Sequence, residues 1–146
     1  LMKTLTDNSY GATPVFRENG RYLILLVKHQ AGHWAFPKGH LKSGESRSAT
    51  AKRELQEETG LEDFDFDEKT NFIEHYSFER EGKLYEKEII YYPVFARDKT
   101  ITPPDKFKEE ISECRWVTFD EALKLAQFDS TREVIRKVEE YLRLLE

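Results

Sequence analysis

The reading turns on residues 39–61, Gly39-His-Leu-Lys-Ser-Gly-Glu45-Ser-Arg-Ser-Ala-Thr-Ala-Lys-Arg53-Glu54-Leu-Gln-Glu57-Glu58-Thr-Gly60-Leu61. Good helix formers without proline or internal glycine fill positions 46–58, and Gly60 falls where a left-handed C-terminal cap belongs. The pattern predicts a helix from Ser46 to Glu58. On such a helix Glu54, Glu57 and Glu58 stand at i, i+3 and i+4, so three carboxylates project from one face within about two turns. Like charges so placed cost a few tenths of a kcal/mol per pair, and a hard divalent cation is the simplest compensation. All-oxygen ligands suit magnesium or manganese better than zinc or copper. Arg53 precedes Glu57 by four residues and is placed to pair with it. Glu45, just before the helix, has its free amides or Arg53 as candidate partners.

Outward from this helix the pattern is mixed. Thr13–Arg17 and Arg21–Lys28 are β-rich runs around Glu18-Asn19-Gly20, which predicts a hairpin. Asn71–Arg80 and Leu84–Ala96 form a second strand pair about Glu81-Gly82-Lys83, with Pro93 expected at a bulge or sheet edge. Glu113–Thr118 reads as a further short strand. Thr118 with Glu121, and Ser130 with Glu133, both match a capping box, so helices are expected over Phe119–Gln127 and Thr131–Leu144. Val134, Ile135, Val138, Tyr141, Leu142 and Leu145 give the last helix an apolar stripe for a sheet face. Strands covered by helices make an α/β layered domain.

Composition narrows the class. At 146 residues, 38% hydrophobic and 35% charged, the chain fits one domain, 1–146, with one core. No segment has the length or apolarity of a membrane span or secretory leader, and the one cysteine, Cys114, excludes an internal disulfide and a paired-cysteine zinc site. A soluble, cytoplasmic protein is expected. A net charge of −5 argues against a whole-surface grip on long nucleic acid, so an anionic ligand needs local neutralisation.

The array Gly-x5-Glu-x7-Arg-Glu-Leu-x-Glu-Glu-x-Gly-Leu from Gly39 to Leu61 resembles, at every constrained position, the signature of the Nudix hydrolases. The resemblance implies a Nudix-type α/β/α sandwich with a mixed β-sheet between helices. It also implies hydrolysis of a nucleoside diphosphate linked to another group, by water attack at phosphorus with Mg2+, for which Mn2+ substitutes. Carried onto this chain, Glu57 and Glu58 become the principal metal ligands, with Glu54 joining directly or through water and the Gly39 carbonyl completing the set; Arg53 orients Glu57. A metal cluster neutralises charge on the non-bridging oxygens and orients or deprotonates the water.

A second resemblance is narrower. His33-Trp-Ala-Phe-Pro-Lys38-Gly-His40, and later Glu110-Ile-Ser-Glu-Cys-Arg-Trp116 with Glu121-Ala-Leu-Lys-Leu-Ala-Gln-Phe128, are similar to the asymmetric diadenosine tetraphosphate hydrolases. By that likeness Lys38 and His40 lie beside the polyphosphate, and Glu110 is a further carboxylate that binds metal or takes a proton from the water. Tyr85 or, next, Tyr76 stacks on adenine, while no side chain between Asp98 and Lys108 is assigned to the base. His33 is a weaker candidate for ligand contact. His29 and His75 read as loop or surface polarity, and Trp34, Trp116, Tyr91 and Tyr92 as structural aromatics. Cys114 reads as a buried strand thiol, because no neighbouring base suggests a nucleophile. The expected reaction is conversion of the tetraphosphate to ATP and AMP. The rivals are an RNA 5′-end pyrophosphohydrolase, a nucleoside triphosphate pyrophosphatase, and a regulator that binds nucleotide without turnover.

Overall fold

The computed structural model describes residues 3–102 and 110–146. Its sheet is organised on two long strands, β1 (Thr4–Glu18) and β7 (Lys83–Ala96), which run parallel from Thr4 opposite Leu84 to Val15 opposite Phe95. The other pairings are antiparallel. β2 (Arg21–His29) flanks the C-terminal half of β1, with β3 (Trp34–Ala35) and β8 (Ile111–Val117) on β2; β4 (Lys38–Gly39) pairs with Tyr10 and Gly11 of β1. β5 (Phe64–Phe66) and β6 (Phe72–Arg80) share the far edge of β7. This is the mixed sheet expected from the sequence.

Helices cover both faces because β7 alternates its side chains between them. Ile89 and Tyr91 face the helices α2 (Phe119–Leu125) and α3 (Asp129–Leu144), packing with Val134, Ile135, Val138 and Leu142. Ile90, Tyr92 and Val94 face the opposite way, where Ala51, Leu55 and Leu61 belong to α1 (Arg47–Thr59) and the turn after it. The result is an α/β/α sandwich. Both hairpin turns are two-residue loops with left-handed backbone, Asn19 (φ 52) with Gly20 (φ 78) and Glu81 (φ 51) with Gly82 (φ 76). That geometry matches the right-handed twist of the strands they join.

Several expectations need correction. β1 begins at Thr4, nine residues before the expected Thr13, because parallel pairing with β7 recruits the polar run Thr4–Ser9 that carries no strand signal of its own. Pro93 lies inside the sheet, opposite Thr13, and is neither an edge nor a bulge. Its carbonyl accepts from Asp67 N at 3.1 Å, so its missing N–H faces the break between β5 and β6, where no ladder donor is required. α2 stops at Leu125. α3 starts at Asp129 with Phe128 as N-cap and no side-chain cap, because the Ser130 hydroxyl donates to Glu74 instead of closing a box with Glu133. The box at Thr118 and Glu121 is present as expected.

Candidate active site

α1 is fixed at both ends by its own sequence: the Ser46 hydroxyl accepts from Ala49 N at 3.1 Å, and Gly60 closes the helix at φ 73. Arg53 is the hub of its polar face. It donates to both oxygens of Glu45 (2.7 and 3.0 Å), to Glu54 (2.9 Å), to Glu57 (3.1 Å) and to the His40 carbonyl (3.0 Å). The hydrogen bond from Arg53 holds the Glu45 carboxyl down at about 2, and the reciprocal bond pushes the guanidinium above its usual range. Glu45 therefore takes Arg53, not the helix amides, as its main partner, with Lys42 N and the Thr50 hydroxyl also donating to it. The Arg53–Glu57 pair expected from the spacing is present.

Glu58 is turned inward, 3% exposed, and accepts from the Lys38 amide at 2.9 Å. Glu54 lies against Gly39, where an added β-carbon would overlap the carboxyl, so glycine is the one residue that lets strand and carboxylate meet. Burial raises the Glu54 and Glu58 carboxyls above the usual range; repulsion from Glu54 adds to the rise at Glu58, while repulsion from Glu57 adds to the rise at Glu54 against the lowering pull of Arg53. Among the described residues no group of three or more carboxylate, imidazole or thiol side chains is arranged to hold a metal ion. The expected threefold convergence is thus pairwise: Glu54 and Glu58 approach each other, Glu54 lies against Gly39, and Arg53 bonds both Glu54 and Glu57. A buried and a half-buried carboxylate beside a backbone strand fit a hard cation that completes its shell with water and phosphate oxygens.

The alternation within β4 joins the two faces of the sheet. Gly39 points to α1, whereas the Lys38 side chain enters a cavity of about 430 Å³ on the α3 side. Successive same-face residues of β6, Glu74, Tyr76, Phe78 and Arg80, line that cavity, opposed by His33, Phe128 and Ser130. His33 meets Phe128 edge-on at 5.7 Å and stacks on His29 at 4.5 Å. Burial, with Lys38 and His33 nearby, lowers the His29 imidazole to about 3. A cavity lined by aromatic side chains and a lysine is suited to a ring joined to a phosphate.

A model of the NUDIX domain matches residues 6–138 of this chain. The chain belongs to the NUDIX family. It is 31% identical over 125 residues to the asymmetrical bis(5′-nucleosyl)-tetraphosphatase of Rattus norvegicus, covering 83% of this chain and 80% of that protein. It is 32% identical over 123 residues to the Sus scrofa protein of the same name, with the same coverage. The crystal structure of a C. elegans Ap4A hydrolase binary complex superposes with a TM-score of 0.79 over 93% of this chain and 97% of that one, at 23% identity, which shows a common fold. With these relatives the protein is a Nudix hydrolase.

The structure distributes the remaining candidates around this Nudix helix unevenly. Tyr85 does not line the cavity; it stacks on Phe78 at 4.9 Å and 4°, with Arg80 over both rings, so it is a cross-strand aromatic partner and Tyr76 is the ring that faces the chamber. His40 is exposed and pairs with Asp7 at 2.8 Å; Asp7 also pairs with the buried Lys87 at 3.2 Å. Glu110 is exposed just before β8. Its carbonyl accepts from Gln30 N at 3.1 Å, and among the described residues nothing joins its side chain to Glu54, Glu57 or Glu58. Of the loop between Asp98 and Lys108, residues 103–109 lie outside the described residues. Cys114 is half-buried on β8, donates to the Glu58 carbonyl at 3.1 Å and is pushed up to about 12 by burial, which leaves it unreactive. Trp34, Tyr91 and Tyr92 are in the core, and Trp116 donates to the Lys99 carbonyl at 2.9 Å. Sequence reasoning missed Glu74, Phe78, Arg80 and Phe128. The alternation of Glu74, Tyr76, Phe78 and Arg80 along β6 was the available signal.

Proposed function

We propose that this protein hydrolyses dinucleoside polyphosphates with Mg2+ or Mn2+, cleaving diadenosine tetraphosphate asymmetrically to ATP and AMP. The observation that carries the reading is the continuity at β4: the Lys38 side chain lines the aromatic cavity while its amide holds Glu58, and the next residue, Gly39, lies against the Glu54 carboxylate. The likeness to the rat and pig proteins supports the same substrate. Glu54, Glu58 and the Gly39 carbonyl would hold the cation, with Glu57 and Glu110 as further candidates. When bound, the metal supplies charge neutralisation at phosphorus and an acidified water.

This chain's own residues do the rest. Arg53 fixes the orientation of Glu54 and Glu57 through short charged hydrogen bonds, so the carboxylates are preorganised before substrate arrives. Lys38 offers a compact positive charge to the polyphosphate where it leaves the cavity, and His40 lies outside it beside Asp7. Tyr76 and Phe128 line the cavity and would stack on one base. A single thiol of depressed reactivity suits a reducing cytoplasm.

Purified protein given diadenosine tetraphosphate, 5′-triphosphorylated RNA and a panel of nucleoside triphosphates in separate reactions tests the reading. ATP and AMP in equal amounts, at a kcat/KM at least tenfold above the other substrates and lost in Glu57→Gln, is the expected result. Preferential release of pyrophosphate from RNA or triphosphates would replace it with one of the rival activities. Nucleotide binding without turnover of any substrate would leave a regulator.

A further inference from the structure

We propose that Glu74 is the specificity-determining residue of the cavity and selects a nucleobase bearing an exocyclic amine by accepting one of its N–H groups. The inference rests on the cavity being the nucleotide site. Three charged side chains among the described residues are buried: Glu58, Lys87 and Glu74. Glu58 belongs to the proposed cation site, and Lys87 is paired with Asp7. Glu74, 5% exposed, has no ion pair among the described residues. Its partners are three hydroxyls: Tyr91 donates to Oε1 at 3.3 Å, and Ser130 and Thr131 donate to Oε2 at 2.6 and 3.3 Å.

A carboxylate has about four acceptor positions, so these three hydroxyls leave one unfilled, and Glu74 is among the residues that line the cavity. A buried anion hydrogen-bonded only to neutral hydroxyls, with Lys87 and His33 acting on it through space, is costly, and a ligand that donates to it recovers part of that cost. The surrounding walls restrict which ligand this is. Tyr76 and Phe128 accommodate a flat ring, and the Glu74 charge repels phosphate, so a nucleotide enters with its base toward Glu74 and its phosphates toward Lys38. A carboxylate accepts but does not donate; it therefore favours an amine-bearing edge such as the 6-amino group of adenine and disfavours an edge lacking a donor. Discrimination of this type is strong because the rejected ligand leaves the buried acceptor unpaired.

The test compares diadenosine tetraphosphate with the same molecule built from purine riboside, which carries hydrogen in place of each 6-amino group, in wild type and in Glu74→Gln. In wild type the des-amino compound should lose at least tenfold in kcat/KM. In Glu74→Gln, whose neutral oxygen accepts about half as strongly, that ratio should shrink to about threefold. Equal turnover of both compounds by wild type overturns the inference while leaving the hydrolase reading standing. Turnover of neither overturns the hydrolase reading, and this inference about its substrate falls with it. If Glu74→Gln does not fold, the wild-type comparison still decides. An unchanged ratio in a folded Glu74→Gln assigns the amine recognition to another group and refutes the role of Glu74.

Discussion

Replacing Gly39 by alanine isolates the contact on which the candidate site depends. The backbone at Gly39 is ordinary extended strand, so alanine is conformationally acceptable there. The obstacle is the partner: the added β-carbon would stand 2.5 Å from Glu54 Oε2 and nearer still to the rest of that carboxyl, inside the 3.0 Å that real β-carbons keep. Restoring an ordinary contact moves the carboxyl by about 1 Å, and misplacement on that scale lowers turnover about 100-fold in a preorganised site. Stability should hardly change, because the group that yields is the far end of a flexible side chain; loss of its bond to Arg53 costs at most about 1 kcal/mol, or roughly 2 to 4 °C in Tm. Gly11→Ala is the contrasting control. Its β-carbon would meet the Pro37 carbonyl and Lys38, so backbone must shift and Tm should fall further than for Gly39→Ala. The assay is kcat and KM for diadenosine tetraphosphate beside a thermal melt for each variant. Gly39→Ala with kcat within about threefold of wild type would refute the cradle; a melting loss above about 10 °C would show Gly39 to be a folding residue instead.

Three further outcomes follow from particular contacts. Tyr76→Ala should raise KM roughly tenfold through loss of one stacking face, whereas Tyr85→Phe should leave KM unchanged; steady-state kinetics showing the reverse would restore Tyr85 as the base platform. His29 is lowered from 6.5 to about 3, so the fold favours its neutral form: the contribution is complete above pH 6.5 and is lost as pH falls toward 3. Urea unfolding at pH 7 and pH 5 should therefore show wild type losing about 2 kcal/mol more than His29→Phe, and equal losses would contradict this. Thr118→Ala removes a hydroxyl that accepts from Glu121 N at 3.2 Å and should cost about 1 kcal/mol in the same measurement; a change below about 0.3 kcal/mol would deny the capping box its role.

What was legible in the sequence follows how local each signal is. α1, its caps and the Arg53–Glu57 pair are set within a few residues, and both two-residue hairpin turns are announced by a glycine that supplies left-handed backbone. The N-terminal half of β1 was not legible: residues 4–9 are polar, and only β7, some eighty positions away, makes them a strand. The same reason hides β3 and β4, two-residue strands whose pairing is entirely tertiary. Ser130 carries a sound capping pattern, yet its hydroxyl is taken by Glu74 from another element. At the site, helix spacing placed the glutamates on one face but not their partition. Glu58 turns inward because the Lys38 amide awaits it, and Arg53 bonds Glu54 as well as Glu57, neither of which spacing can reveal. Tyr85 and Tyr76 were indistinguishable by composition. The register that sets Tyr85 opposite Phe78, and α3 closing over β6, made the choice.

The cation at Glu54, Glu58 and Gly39 is most directly tested by titrating the protein with Mn2+ in the presence of a non-hydrolysable diadenosine tetraphosphate analogue and following free manganese by electron paramagnetic resonance. Wild type should remove manganese from solution, and Glu58→Gln should bind it at least tenfold more weakly. If wild type leaves the free-manganese signal undiminished, or Glu58→Gln binds as tightly, the α1 carboxylates are not the metal site.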